Sequence, residues 1–180
     1  MNMKMYSGYS RTQSVMKTPN KHPPRVLAID PGYDRLGIAV IEGNPSRPTL
    51  VMSDCVLPEK GAREERLSYV SKAVHAAIKR YAPDALAIET LFFSVNKKTA
   101  LGVAEARGAV LAAAGNASLP VIECSPQQVK LAVTGYGGAD KAAVARMIPR
   151  LISLPKKKRL DDELDAIGIG ITGLARLPYH

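Results

Sequence analysis

Between residues 25 and 57 the chain has room for little besides an antiparallel meander. RVLAID, RLGIAVIEG and TLVMSDCVL are β-type apolar runs, and the linkers between them are only a few residues long. Linkers that short join antiparallel neighbours, because a parallel crossover needs about a dozen residues or more. The first linker carries the turn residues Pro31 and Gly32. The period then changes. In AREERLSYVSKAVHAAIKRYAP, the residues Leu67, Val70, Val74, Ala77, Ile78 and Tyr81 recur at helical spacing until Pro83 stops the pattern.

Beyond that helix, strands and helices alternate. ALAIE is a short buried strand, KKTALGVAEARGAVLAAAG an Ala-rich helix with a stop at Gly115, and PVIECS another strand. SPQQVKLAV opens a helix with Ser125 as N-cap, Pro126 at the first helical position and Gln128 at N3, a capping box. TGYGGADK reads as a flexible loop, and KAAVARMIPRLISL as a helix interrupted at Pro149. In the last element Ile167, Ile169 and Ile171 alternate with Gly168 and Gly170, which imitates a strand. Its length and acidic first turn favour a buried helix. The order β-β-β-α-β-α-β-α-α-α predicts an α/β fold: a mixed five-stranded sheet, antiparallel meander plus parallel strands, flanked by helices.

Residues 25–180 fit one domain with a real core. Residues 1–24 are polar and basic and lack the apolar stretch of a secretory signal. They read as a disordered tail, with a transit peptide as a weaker alternative; Met1, Met3, Met5 and Met16 could each be a start. The formal charge of +9 favours a polyanionic partner such as nucleic acid. Residues 1–25 hold five basic residues and no acid, so much of that charge sits in the tail. No apolar run approaches the ~20 residues of a membrane span. Cys55 and Cys124 lie in strand-like contexts, fit a reducing compartment and read as buried thiols.

Two strands carry a carboxylate where apolar runs end: Asp30 after RVLAI and Glu89 after ALAI. Asp30 also fits a turn-starting Asp before Pro-Gly. Glu89 is harder to explain that way, because a glutamate is rarely buried without a partner. Asp162 and Asp165, at i and i+3, share one face of the last helix. Asp161 reads as the N-cap of that helix and Glu163 as a surface charge. Four converging carboxylates repel unless cations hold them, and hard oxygen ligands suit Mg²⁺ or Mn²⁺. His22, His75 and His180 are scattered, and neither a P-loop nor a GxGxxG motif is present.

The segments AIDPGYDRLGIAVIE, AIETLFFSVNKKTALGVAEARG, SPQQVKLAVTGYGGADK and DDELDAIGIGIT, in that order, resemble the RuvC Holliday junction resolvases. The resemblance covers Arg25 to Thr172. It implies an RNase H-like fold, a homodimer, and paired symmetric nicks in four-way DNA junctions with two Mg²⁺ ions per site, Mn²⁺ being a possible substitute. It assigns Asp30, Glu89, Asp162 and Asp165 as catalytic metal ligands. Lys130 and Lys141 match family lysines implicated in DNA binding or catalysis, and Phe92 an aromatic near the junction crossover. Lys97, Lys98 and the run Lys156, Lys157, Lys158, Arg159 would neutralise backbone phosphates. The helix from Thr99 to Ala114 is expected to form part of the dimer interface. A branch-migration helicase complex as partner, no membrane, and a bacterial cytoplasmic, nucleoid-associated location complete the expectation. Other branched DNA, an RNA–DNA hybrid, or junction binding without cleavage are the competing readings.

Overall fold

A computed structural model describes residues 22–91 and 97–178, with residues 97–99 described by backbone alone. The meander forms as expected. β1 (Arg25–Asp30) pairs antiparallel with β2 (Leu36–Asn44), and β2 with β3 (Arg47–Val56). The chain then crosses through α1 (Arg63–Tyr81) to β4 (Ala85–Glu89), which lies parallel to β1. A second crossover, α2 (Lys97–Asn116), leads to β5 (Val121–Cys124), parallel to β4. The five strands stand in the order β3-β2-β1-β4-β5, so β1 is the middle strand, with β2 and β4 on either side. Three helices close the chain: α3 (Pro126–Thr134), α4 (Lys141–Leu151) and α5 (Asp161–Arg176).

Side-chain alternation along the strands makes two cores. Leu27, Ile29, Ile38, Val40, Leu86 and Ile88 face α1 and α2. Val26, Ala28, Ala39, Ile41, Ala87 and Cys124 face α5, which α3 and α4 cover from outside. That sandwiching explains the puzzling alternation in the last element. α5 is a helix buried on opposite sides, so Ile167, Ile169 and Ile171 all find apolar neighbours. Its glycines are clearance. A Cβ at Gly170 would stand 2.5 Å from Ile41 Cγ1 and 3.1 Å from Ala28 Cβ, and one at Gly173 2.5 Å from Ala87 Cβ. At the helix start, a Cβ on Gly37 would collide with the Asp162 carbonyl oxygen at 1.9 Å. Small residues on both partners let α5 lie directly on the centre of the sheet.

Two local expectations are corrected. α4 continues through Pro149 to Leu151. Pro149 sits near the C-terminal end, where it forfeits one amide donor, and Ile152 N–H still donates to the Ile148 carbonyl. α2 passes Gly115 and ends at Asn116. The capping box at Ser125 is present, with Gln128 N–H donating to Ser125 Oγ and Ser125 N–H to Gln128 Oε1. Among the described residues, no helix is long and apolar enough to cross a membrane.

Candidate active site

Ile29 pairs with Ile88 in the β1–β4 register, and Asp30 and Glu89 each follow that pair directly. Both carboxylates therefore leave adjacent central strands on the α5 face, in line with Ala28 and Ala87. α5 delivers the other two. Its first turn rests over Gly37, bringing Asp162 and Asp165 within electrostatic reach of Asp30. Burial, then Glu89, Asp165 and Asp162, push the Asp30 carboxyl up from 3.8 to about 8, with Lys141 pulling the other way. Burial and Asp165 also raise Glu89, again opposed by Lys141.

The cations present occupy two of the acids. Lys141, at the start of α4, places Nζ 2.8 Å from Asp165 Oδ2. Its hydrogen bond to Asp165 raises the ammonium pKa. Arg35 Nε lies 3.1 Å from Asp162 Oδ2, yet that buried oxygen has no aligned hydrogen-bond donor. Lys130 joins Glu89, Lys141 and Asp165 along a groove of about 280 Å³ between α3, α4 and α5. The loop leaving Asp30 is pinned by Arg66, which donates to the Tyr33 carbonyl at 2.9 Å and Asp34 Oδ1 at 2.7 Å, its guanidinium over the Tyr33 ring. Arg107 of α2 ties the ends of β4 and β5, through the Glu89 carbonyl at 3.4 Å and Glu123 at 2.7 Å.

This donor set suits a divalent cation. Every candidate ligand is a carboxylate oxygen, Asp162 Oδ2 is buried without a donor, and Asp30 faces three further acids. Among the described residues, no three acid, His or Cys side chains already close into a finished cage. Mg²⁺ does not demand one: it keeps several waters and is held by one or two carboxylates plus substrate phosphate.

In the basic loop before α5, two of the four cations meet a carboxylate. Lys156 and Lys158 are exposed. Lys157, itself exposed, places Nζ 2.8 Å from Glu163 Oε1, and the buried Arg159 side chain places Nε 3.2 Å from the same oxygen. Glu163 is not a surface charge; it is 3% exposed and also accepts from Ser53 Oγ at 2.5 Å. A buried carboxylate demands such partners, and two of the four cations in the preceding run supply them. Asp161 is the first helical residue, exposed, with Leu160 at the cap position, because the loop stays extended up to Leu160. Cys124 is buried, whereas Cys55 is only half-buried, its thiol pushed up by burial and by Asp162. Phe92 lies outside the described residues, and so do the side chains of Lys97 and Lys98.

Arg35, Arg107 and Glu163 escaped the sequence reading. Arg35 had a signal, as a cation five residues past Asp30 in the same turn. The spacing of Arg159 and Glu163, at i and i+4, was the available hint for the third.

A central pair of parallel strands, an antiparallel meander on one side and a helix carrying acids across their ends define the RNase H-like class of nuclease fold. Comparison with known proteins narrows this. The profile of the family described as crossover junction endodeoxyribonuclease RuvC matches residues 26–173. The crossover junction endodeoxyribonuclease RuvC of Desulforamulus reducens is 43% identical over 149 residues, covering 81% of this chain and 90% of its own. That of Moorella thermoacetica is 37% identical over 156 residues, covering 86% and 93%. The structure of Thermus thermophilus RuvC in complex with Holliday junction substrate superposes with a TM-score of 0.77 at 33% identity, over 83% of this chain and 92% of that one. The yeast mitochondrial Holliday junction resolvase Ydc2 shares the fold, at a TM-score of 0.60 and 14% identity. The chain belongs to the RuvC family.

Proposed function

We propose that this protein is a crossover junction endodeoxyribonuclease that resolves four-way DNA junctions by two symmetric nicks. The observation that carries the reading is the convergence of Asp30, Glu89, Asp162 and Asp165 over the sheet centre, in a chain whose RuvC match spans residues 26–173. In the reaction, a water oxygen bonds to phosphorus, the bond from phosphorus to O3′ breaks, and the products are a 5′-phosphate and a 3′-hydroxyl. The four carboxylates would hold Mg²⁺, two ions per site, with Mn²⁺ as a substitute. Bound there, such ions lower the pKa of water and offset charge on the leaving oxygen.

The protein's own residues supply position and charge. Lys141 holds Asp165 and sits where it can meet the phosphate as negative charge develops. Lys130, along the same groove, and the exposed Lys156 and Lys158 neutralise flanking phosphates, so affinity falls as salt rises. A homodimer would aim two such sites at opposed strands, with α2 in the interface. A branch-migration complex is the partner that would follow junction binding, in a nucleoid-associated setting.

The test compares a four-way junction, a flap, an RNA–DNA hybrid and a linear duplex, each with Mg²⁺ and with EDTA. Mg²⁺-dependent cutting of the junction well above the other three is the expected result. Equal cutting of flap or hybrid would replace the substrate assignment, and binding without any product would replace the activity.

A further inference from the structure

The basic loop and the first turn of α5 are joined by a clasp that the proposed chemistry leaves unused. Glu163, buried next to Asp162 in the first turn of α5, gathers three groups at one oxygen. Ser53 Oγ of β3 donates at 2.5 Å and Lys157 Nζ lies at 2.8 Å, while Arg159 Nε stands at 3.2 Å as an ion pair without an aligned hydrogen bond. Lys157 Nζ also donates to the Ser53 carbonyl at 2.9 Å, so lysine, serine and glutamate close a ring across β3, the loop and α5. The Glu163 side chain is 4% exposed and that of Arg159 8%. Surface lysine–glutamate pairs contribute little, but a buried carboxylate is held hard in place by the partners it requires.

Rested on the proposed metal-dependent site, the geometry assigns Glu163 as a positioning residue. Through Ser53 and Lys157 it fixes the first turn of α5, and so the distance at which Asp162 meets a divalent ion. Asp162 adjoins Glu163 in the chain, and among the described residues its own carboxylate has only the half-exposed, unaligned Arg35 to hold it. Among the described residues, the helix turn it rides on is its other anchor. The basic run is thereby divided by alternation. Lys157, from the surface, and the buried Arg159 hold Glu163, and the exposed Lys156 and Lys158 are left to meet the DNA.

Mn²⁺ binding to the full-length protein without DNA, followed by electron paramagnetic resonance, separates the two halves of the run. E163Q keeps the volume and the Ser53 bond, and K157M opens the clasp from its exposed end, so both variants are expected to fold. Each is expected to weaken Mn²⁺ binding about tenfold, as outer-sphere changes at metal sites do. Raising Mn²⁺ should restore their junction cleavage, which a loss of fold would not allow. The double variant K156A/K158A should keep wild-type Mn²⁺ affinity and lower the salt slope of junction binding by about two. Wild-type Mn²⁺ affinity in both E163Q and K157M, or weakened affinity in K156A/K158A, overturns the clasp. A wild type that binds Mn²⁺ and never cuts junctions overturns the proposed function and leaves the clasp standing. No Mn²⁺ binding by the wild type overturns both.

Discussion

The two faces of the sheet are built from the same strands and do different work. Toward α1 and α2 the strands present Leu27, Ile29, Ile38, Val40, Leu86 and Ile88, large side chains that fill the space beneath two helices. Toward α5 they present Ala28, Ala39 and Ala87 among larger neighbours, and α5 answers with Gly170 and Gly173. The first face is stabilising bulk. The second gives up bulk for closeness, which brings the acids of a helix turn over the acids of two strand ends. Stability and site geometry are therefore separable by face.

Substitutions can break that separation if it is false. The largest effect is expected from Asp165→Asn, on the close face. Junction cleavage should fall at least about a hundredfold, beyond what outer-sphere changes give, with the thermal midpoint unchanged or raised. On the bulky face, Leu27→Ala should cost about 2–5 kcal/mol in denaturant unfolding. Its cleavage rate per folded molecule should match the wild type. Gly170→Ala should do both at smaller scale, costing about 1–3 kcal/mol and slowing cleavage, because its new Cβ lifts α5 from Ile41 and Ala28. If Gly170→Ala lowers stability alone, closeness is not what sets the site.

The smallest effect concerns pH. The folded-state pKa of Asp30, about 8, lies above its ordinary 3.8, so the fold retains an extra proton between those values. That contribution is complete at low pH and is lost as pH rises through 8. Melting of metal-free protein should show Asp30→Asn gaining on the wild type as pH climbs from 5 to about 8, and Mg²⁺ should narrow the gap in the wild type's favour. A constant difference across that range would mean that Asp30 is not held protonated by burial and its neighbouring acids.

The contrast between the faces also separates what the sequence disclosed from what it hid. Strand periodicity exposed Asp30 and Glu89 as carboxylates ending apolar runs, and i,i+3 spacing paired Asp162 with Asp165. Those are local signals, and signals of the same kind placed the elements along the chain and identified α5 as a helix. Glu163 was misread because its neighbours in sequence imitate an ordinary acidic first turn. Its hydrogen-bond donor is Ser53, 110 residues away, which no local pattern records. The closure of Lys157 onto the Ser53 carbonyl was hidden for the same reason. Pro149 was read by its missing amide, whereas its place near the helix end decides the outcome.

The central claim is that acids from β1, β4 and α5 form one metal-dependent cutting site. It is tested most directly by mapping nicks in a synthetic four-way junction treated with wild type and Asp30→Asn, with and without Mg²⁺. The expected result is paired, symmetric nicks from the wild type only with Mg²⁺, and an Asp30→Asn protein that binds the junction without cutting it. Cleavage by Asp30→Asn at the wild-type rate, or wild-type nicking in EDTA, would contradict the account.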